Sequence, residues 1–216
     1  MPVSAAFRQE VSAQIPRLAI SRSGRIAKRV IDIVGASVML VLLAPLICFL
    51  VVWIKLHDGG PAFFRRRVVG MDGEFDAFKV RTMRVDADEI LDRDEELRQQ
   101  FEINFKLKDD PRVTSIGAVL RQTKLDELPQ LWNVLKGEMS LVGPRMISSP
   151  ELKKYGKASW LFTLMKPGLT GYWQVYGNQD SGYDKRVSMD LFYAEHWSLW
   201  FDLKILIRTP LRILHS

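Results

Sequence analysis

The stretch IVGASVMLVLLAPLICFLVVWI, at residues 33–54, contains 22 residues without a charge and decides how the chain is organised. As a straight helix it would reach roughly 33 Å, at about 1.5 Å per residue, which is enough to cross a hydrocarbon core of about 30 Å. We therefore predict a membrane helix over residues 28–56. A basic tail at residues 1–27 precedes it, and one membrane-associated domain at residues 57–216 follows it.

Pro45 lies near the middle of this stretch and predicts a break in the helix. Proline cannot donate the backbone hydrogen bond, and its ring clashes with the carbonyl group of Val41. Basic residues flank the stretch on both sides, and the positive-inside rule places both flanks in the cytoplasm. A re-entrant helix, which breaks at Pro45 and leaves the membrane by the face at which it entered, fits both observations. The alternative is a kinked helix that spans the membrane, because proline also occurs in spanning helices.

The positive charge of the chain is concentrated around the apolar stretch. The formal net charge is +6; residues 1–56 carry seven Lys and Arg against two acids, whereas residues 57–216 carry 24 against 23. This placement favours anionic membrane lipid as a partner and disfavours nucleic acid. The single cysteine, Cys48, excludes an intrachain disulfide. Residues 1–29 contain no cleavable secretory signal, and both a short amphipathic helix on the membrane and a disordered basic tail fit them.

The sequence after residue 57 predicts an α/β domain of the α+β kind that is mostly helical. Residues 62–82 are typical of a β-hairpin with its turn at Gly-Met-Asp-Gly, residues 70–73, and residues 172–176 are typical of a strand. Helical patterns occupy residues 85–106, 116–122 and 150–165. In residues 183–214, Trp and Tyr occur among Lys and Arg, which fits either an amphipathic helix at the membrane interface or a C-terminal core helix.

Asp126 and Glu127 stand side by side in KLDELPQLWN, at residues 124–133. One interpretation makes Asp126 the N-cap of a helix, with Pro129 in its first turn. The other uses the same geometry for chemistry, because a helix N-terminus and nearby cations favour an ionised carboxylate. Such a carboxylate can ligate a hard metal or act as a nucleophile. The spacing alone leaves both interpretations open.

Cations recur on either side of this pair in the sequence. Lys79 and Arg81 alternate on the predicted hairpin and so lie on one face of it. Arg145 follows Gly-Pro, a stiff turn suited to bidentate contact with phosphate. The three histidines are scattered, and the sequence has no zinc-spaced Cys/His set and no P-loop. A membrane segment, a carboxylate pair and cations together fit an oxygen-bound Mg²⁺ that bridges a diphosphate, with a lipid as second substrate.

Six motifs, in this order, resemble those of the bacterial sugar transferases, the monotopic polyprenyl-phosphate phosphoglycosyl transferases that start exopolysaccharide and other glycan assembly. The motifs are KRVID at 28–32, KVRTM at 79–83, DPRVT at 110–114, LDELPQL at 125–131, SLVGPR at 140–145 and KPGLTG at 166–171. The resemblance runs from about Lys28 to Leu214. The sequence lacks the four-helix membrane extension of longer members, so we expect the short form of exopolysaccharide-initiating type.

The resemblance implies a two-step reaction with a covalent intermediate. Asp126 would attack the β-phosphate of a UDP-sugar and release UMP, and undecaprenyl phosphate would then attack the phosphosugar on Asp126. Mg²⁺ held by Asp126 would withdraw charge from the diphosphate. Glu127 would orient the site or act as a base, and Asp110 would fix the loop of Arg112. The candidates for phosphate and nucleotide contacts, by match to the family's basic positions, are Lys79, Arg81, Arg112, Arg121 and Arg145.

Four positions depart from the family's pattern. The break pair is Ala44-Pro45 where Ser-Pro is common, so the predicted kink depends on proline alone. Met146 stands where proline often follows the arginine, and Val80 replaces a common Phe. Asn178 replaces a common Arg, which removes a predicted anion contact there. None of these changes affects the carboxylate pair.

The resemblance also implies partners and a location. We expect the cytoplasmic face of the bacterial inner membrane, with inner-membrane lipid, a UDP-sugar, undecaprenyl phosphate and downstream glycosyltransferases as partners. DGGPAFF, at residues 58–64, is similar to members that transfer galactose or glucose 1-phosphate. A homodimer is compatible with the sequence but not required by it. The alternative function is a non-catalytic, membrane-anchored scaffold of a polysaccharide assembly complex, and the presence of both Asp126 and Glu127 argues against it.

Overall fold

The computed structural model describes residues 21–104, 107, 109–178 and 182–214, so most of the predicted basic tail lies outside it. The described chain begins with helix α1 (Arg22–Asp58). The hydroxyl of Ser21 accepts the backbone N–H of Gly24 over 3.1 Å and caps the start of this helix, and Gly59 ends it in the left-handed conformation with φ 69°. The predicted long apolar helix is therefore confirmed.

Helix α1 continues through Pro45, so the chain does not separate into two helices at this residue. The helix is not broken at Pro45, where the sequence predicted a break, but contains this proline in its interior. A single proline removes one hydrogen bond from the ladder, and the neighbouring turns of a 37-residue helix keep theirs. A bend at Pro45 and a re-entrant course through the membrane stay predictions.

One side of α1 packs along the domain, and the other side is exposed. Ala36, in its first half, joins the main hydrophobic core, whereas Leu50 and Ile54, near its end, join a second cluster that includes Val80. Val41, between these contacts, is 75% exposed. Within the described ranges, α1 is the one helix long and apolar enough to cross a membrane. Its exposed side is apolar, and both of its halves contact the same domain.

The predicted hairpin is confirmed. Strand β1 (Phe63–Gly70) pairs antiparallel with β2 (Gly73–Val80), with Phe63 opposite Val80 and Gly70 opposite Gly73. Gly73 has φ 118°, a conformation that favours glycine and allows the tight turn. The hairpin places Lys79, near the end of β2, against the segment that contains the carboxylate pair.

Four helices follow the hairpin: α2 (Ala87–Arg93), α3 (Glu95–Asn104), α4 (Ser115–Thr123) and α5 (Gln130–Lys136). The sequence predicted one helix over residues 85–106, and the structure divides it at Asp94. Asp94 is extended, and its carboxylate accepts the backbone N–H of Leu97 over 2.9 Å, so the residue starts a new helix and does not continue the old one.

A short parallel sheet forms the centre of the domain. Strand β3 (Ser140–Val142) pairs with β4 (Gly168–Thr170). A Cβ atom on Gly168 would lie 2.1 Å from the backbone nitrogen of Gly143. The two backbone segments therefore approach this closely only because both residues are glycines. The connection is helical, as predicted, but in three short pieces: α6 (Ser149–Leu152), a 3₁₀ segment (Lys153–Trp160) and α7 (Leu161–Leu164).

The predicted strand at residues 172–176 is wrong, because these residues form helix α8 (Tyr172–Tyr176). Their aromatic and β-branched composition favours a strand in isolation. In the fold, the rings of Tyr172 and Tyr176 pack one helical turn apart at 4.9 Å, and Tyr172 also contacts Phe192 and Phe201. Tertiary packing therefore overrides the local preference.

The described chain ends with α9 (Tyr183–Glu195) and α10 (Leu199–Leu214). On α10, Asp202 and Ile205 are buried, as the core-helix interpretation predicts, whereas Trp200 and Ile207 are 63% and 62% exposed. The helix thus has two apolar faces, of which one packs on the core. A position of the exposed face at the membrane interface stays a prediction.

Candidate active site around Asp126 and Glu127

The carboxylate pair lies in a short turn between α4 and α5. Thr114 caps α4 by accepting the backbone N–H of Gly117 over 2.9 Å, and the helix ends at Lys124. Lys124 has φ 59°, and it is the one non-glycine residue in the described ranges with a positive φ. Such a conformation is uncommon outside glycine and is often found at functional sites. It reverses the chain into the 3₁₀ turn Leu125–Glu127.

Asp126 is not a helix cap. Helix α5 begins at Gln130 with Pro129 at its cap position and no capping side chain, and the carboxyl group of Asp126 lies in the preceding turn. Asp126 is only 6% exposed. The N-cap interpretation is therefore wrong, and the chemical interpretation of this buried carboxylate stays a prediction.

Lys79 lies next to both carboxylates. Its Nζ donates to Glu127 Oε1 over 2.7 Å and lies 3.7 Å from Asp126 Oδ2. All three side chains are at most 16% exposed. One ammonium group thus compensates two adjacent acids in a weakly hydrated site, where charges interact more strongly than in water.

The surroundings give the two carboxyl groups different pKa values. Burial raises the pKa of Asp126, and Lys79 opposes this effect only in part, because the charge of Glu127 adds to the increase. Burial also acts to raise the pKa of Glu127, but Lys79 and Arg145 outweigh it and lower this pKa to about 2. Glu127 is therefore ionised at neutral pH, while Asp126 is the more basic carboxylate of the pair and so the better nucleophile.

Lys124, Arg121 and Arg145 complete the cationic surroundings of the pair. Partial burial lowers the pKa of Lys124, and the repulsion from Arg145 adds to this effect, while Glu127 opposes it. Arg121 Nε donates to Thr82 Oγ1 over 2.8 Å, and the charges of Arg121 and Asp126 interact. The guanidinium of Arg145 interacts electrostatically with Glu127, and it makes no hydrogen bond or ion pair with the described part of the chain. The family motifs predict Arg121 and Arg145 as phosphate contacts but not Lys124, whose signal in the sequence is its position beside the pair.

Two other predicted cations are engaged elsewhere. Arg81 Nε donates to the carbonyl oxygen of Pro61 over 2.6 Å, and its Nη1 donates to that of Met83 over 3.2 Å. Arg112 forms a bidentate pair with Asp110, with both distances 2.8 Å, and it is 3% exposed. Asp110 thus fixes the loop of Arg112, as predicted. Because both guanidinium groups hold the protein's own chain, we do not include them among the proposed substrate contacts.

The motif KRVID, at residues 28–32 of α1, attaches this helix to the site. The sequence alone did not predict this role. Arg29 donates to the carbonyl oxygens of Val134 and Leu135 over 2.5 and 2.6 Å, at the end of α5. Asp32 accepts the hydroxyl of Ser140 and the backbone N–H of Leu141 over 2.9 and 2.8 Å. These contacts hold both segments that flank the carboxylate pair and Arg145. The signal in the sequence was the motif KRVID at residues 28–32, which resemblance to the family marks without assigning it a contact.

The pair fits a magnesium ion that the substrate helps to hold. Asp126 and Glu127 supply carboxylate oxygens, and the described ranges contain no group of three or more His, Cys, Asp or Glu residues that could enclose a metal. Mg²⁺ commonly takes one or two carboxylates and fills its remaining positions with water and substrate phosphate. The donor set therefore suits this ion only together with a phosphorylated substrate.

Comparison with known proteins identifies the family of the chain that carries these two carboxylates. Residues 23–216 match the family model of the bacterial sugar transferases. The chain therefore belongs to the bacterial sugar transferase family, and the resemblance found in the motifs is confirmed.

Individual relatives agree with this family. The undecaprenyl-phosphate galactose phosphotransferase of Salmonella typhimurium is 46% identical over 194 residues, which cover 87% of this chain and 40% of that protein. The exopolysaccharide production protein ExoY of Rhizobium meliloti is 42% identical over 196 residues, which cover 88% of this chain and 87% of that protein. The UDP-glucose:undecaprenyl-phosphate glucose-1-phosphate transferase of Escherichia coli is 38% identical over 199 residues, which cover 88% of this chain and 40% of that protein. The chain thus spans about two fifths of the length of the first and third of these relatives and most of the second.

Proposed function

We propose that the protein transfers a sugar 1-phosphate from a UDP-sugar to undecaprenyl phosphate at the membrane and so starts the synthesis of an exopolysaccharide or related glycan. The observation that carries this proposal is the buried Asp126, made more basic by its surroundings and set beside the ionised Glu127 and Lys79. Family membership and the activities for which the relatives are named support the reaction class. An exposed apolar helix attached to the site supports a lipid substrate.

In the proposed reaction, an Asp126 oxygen attacks the β-phosphorus of the UDP-sugar. A bond forms between this oxygen and phosphorus, the bond from phosphorus to the bridging oxygen breaks, and UMP leaves with that electron pair. A phosphate oxygen of the lipid then attacks the same phosphorus, and the carboxylate of Asp126 departs unchanged. Splitting the reaction in this way lets two anionic substrates use one site in turn.

The remaining residues hold charge in place during both steps. Lys79 holds the carboxylate pair, and the half-buried guanidinium of Arg145 contacts the phosphates from the other side. Mg²⁺ bound by Asp126 and Glu127 would draw negative charge from the diphosphate. Glu127, ionised at neutral pH, serves this electrostatic role better than it would serve as a general base, because its pKa of about 2 makes it a weak base.

We propose a hexose, galactose or glucose, as the sugar. Relatives named for galactose and for glucose support this choice without separating the two. We also propose that the domain lies on the cytoplasmic face of the bacterial inner membrane, where the basic residues on both sides of α1 would meet anionic lipid.

Intact-protein mass spectrometry tests the proposal. Wild-type protein mixed with Mg²⁺ and individual UDP-sugars, without lipid acceptor, should gain the mass of one hexose phosphate, and Asp126→Asn should gain none. Asp86→Asn, which changes an exposed carboxylate paired with Arg84, serves as a control and should behave as wild type. UMP release with lipid but no adduct would show direct transfer and leave Asp126 as a metal ligand only. Neither adduct nor UMP release with any sugar would favour the non-catalytic scaffold.

A further inference from the structure

A second cluster of buried charges lies next to Arg145, and neither the motifs nor the comparisons assign it a role. At its centre, Glu151 Oε2 accepts Arg66 Nη2 over 2.6 Å, and Glu151 Oε1 lies 3.8 Å from Arg186 Nη1. The three guanidinium groups of Arg66, Arg145 and Arg186 are close enough for Arg145 and Arg186 to lower the pKa of Arg66, in addition to the larger effect of burial. Repelling cations in one place indicate a site for an anion.

Arg186 is incompletely paired. It is 8% exposed, and its Nε and Nη2 are buried without any hydrogen-bond partner in the described part of the chain. The rings of Tyr155 and Tyr183 lie 5.8 and 4.8 Å from its guanidinium carbon and hold the group in position. A buried donor without an acceptor destabilises the folded protein, so such groups are rare in native proteins and call for an explanation.

Asp190 does not supply the missing acceptor, although it lies one helical turn from Arg186. Its Oδ2 accepts the hydroxyl of Tyr155 over 2.7 Å, whereas its Oδ1 is buried and makes no hydrogen bond, either to Arg186 or to another described residue. Burial raises the pKa of Asp190 to about 6, so this carboxyl group binds a proton more readily than an exposed aspartate does. Asp190 therefore leaves the Nε and Nη2 donors of Arg186 without an acceptor.

This cluster is continuous with the candidate active site. Arg145 and Arg66 both interact electrostatically with Glu127, and Arg145 also interacts with Tyr183, whose ring covers Arg186. Arg145 has an unpaired guanidinium within the described ranges, and Arg186 has two unpaired donors. The free donors of both residues thus belong to one cationic region beside the carboxylate pair.

We propose that Arg186 and Arg145 together bind one phosphate group of a nucleotide, in a subsite beside Asp126 and Glu127. This phosphate is the one that stays with the nucleoside when the sugar phosphate is transferred, so the identity of the nucleotide rests on the proposed function. Guanidinium groups form charge-assisted, planar pairs with phosphate, and two of them can hold an oxyanion from two sides. Arg66 adds positive charge but remains paired with Glu151.

Equilibrium binding of UMP to the full chain in lipid nanodiscs, with Mg²⁺, tests this subsite. We expect Arg186→Gln to weaken UMP binding by at least about tenfold, because charge-assisted hydrogen bonds are lost. Arg186→Lys, which keeps the charge but loses the planar group, should have a smaller effect. Arg67→Gln is the matched control, since Arg67 is 59% exposed and pairs with Glu74 and Asp76 on the hairpin. Its UMP affinity should equal that of wild type.

Thermal unfolding of each variant separates binding from folding. If Arg186→Gln does not fold, a double-mutant cycle with Arg186→Lys and Arg145→Lys replaces it, and non-additive losses of UMP affinity are expected when both residues contact one phosphate. Unchanged UMP affinity in folded Arg186 variants, or no UMP binding by wild type, would overturn the subsite. The subsite would also be overturned if the Arg186 variants lost affinity only for farnesyl phosphate, a short analogue of the lipid substrate. That result would assign Arg186 to the lipid substrate. A wild-type protein that binds UMP through Arg186 but forms no adduct would retain the subsite and contradict the proposed function alone.

Discussion

At the scale of single residues, Lys79 controls the charge of the carboxylate pair. Its ammonium group is 16% exposed and contacts Glu127 and Asp126 at 2.7 and 3.7 Å. Removal of one partner from a buried ion pair leaves the other charge uncompensated, so we expect Lys79→Met to lower the free energy of unfolding by about 3 kcal/mol at pH 7. Denaturant titration measures this loss. Lys136→Met is the control, because Lys136 is 44% exposed, and its contact with Glu138 should contribute less than about 1 kcal/mol.

The same site predicts how stability depends on pH. The pKa of Glu127 is about 2 in the folded protein and 4.5 ordinarily, so its ionised form stabilises the fold above pH 4.5, and this contribution is lost as the pH falls towards 2. In Lys79→Met the pKa of Glu127 rises, and the stability should decline less steeply over that window than in wild type. Unfolding measured from pH 6 to pH 2 gives both slopes. Equal slopes would show that Lys79 does not hold Glu127 in its ionised form.

The sequence was sufficient to select candidate site residues that are marked by local pattern, and insufficient to select those whose partners are remote. Asp126 and Glu127 are adjacent, and Lys79 stands in a motif that recurs in the family, so pattern and resemblance together found them. Arg186 has no such signal, because the residues that show its incomplete pairing lie on other elements of the fold. Asp32 likewise acquires its role only when Ser140, 108 residues away, lies beside it.

At the scale of elements, the contact between α1 and β3 joins the membrane helix to the site. Asp32 is 4% exposed and accepts two hydrogen bonds from residues of β3. Asp32→Ala leaves these buried donors unpaired, so we expect a loss of about 2–3 kcal/mol in stability and lower activity, because β3 leads into Arg145. Asp86→Ala removes an exposed ion pair and should change stability by less than about 0.5 kcal/mol. Equal melting temperatures for the two variants would show that α1 is not held through Asp32.

The approach of β3 to β4 gives a second prediction at this scale. A Cβ on Gly168 would lie 2.1 Å from the nitrogen of Gly143, a backbone atom that cannot move aside alone, so Gly168→Ala should separate the strands and prevent folding. Gly182→Ala is the control, because nothing lies within 4 Å of its added Cβ. Yield of monodisperse protein after purification, followed by thermal unfolding, measures both. A stable Gly168→Ala would mean that β3 and β4 do not pair at this distance.

Three elements show why local patterns predict only part of the fold. The hairpin was predicted correctly because its alternation and its glycine turn are local properties of residues 62–82. Residues 172–176 have the composition of a strand, yet they form a helix, because their rings pack against Phe192 and Phe201 from later in the chain. Pro45 predicted a break that local sterics favour, and the helix continues through it with packed residues in both of its halves.

At the scale of the whole molecule, the packing of α1 constrains its course in the bilayer. Ala36 and Ile54 are 18 residues apart, about 27 Å along a helix, and both are buried against the domain that carries the carboxylate pair. A helix that spans a bilayer of about 30 Å would take one of these positions to the far side, away from the domain. The packing therefore argues against a spanning course and favours one in which both ends of α1 stay on one face. A bend at Pro45 that would make this course re-entrant stays a prediction.

Cysteine labelling tests this course in sealed proteoliposomes. In a Cys48→Ser background, we introduce Ser23→Cys at the start of α1 and Asp72→Cys in the hairpin turn, both at exposed positions. An impermeant maleimide should label the two cysteines to the same extent before the vesicles are opened, because both lie on one side. Wild-type Cys48, in the apolar part of α1, should react only after detergent is added, since a maleimide in water does not reach the hydrocarbon core. If one of the two introduced cysteines is labelled only after the vesicles are opened, α1 spans the membrane, and its contacts with the domain at Leu50 and Ile54 would have to be absent in the bilayer.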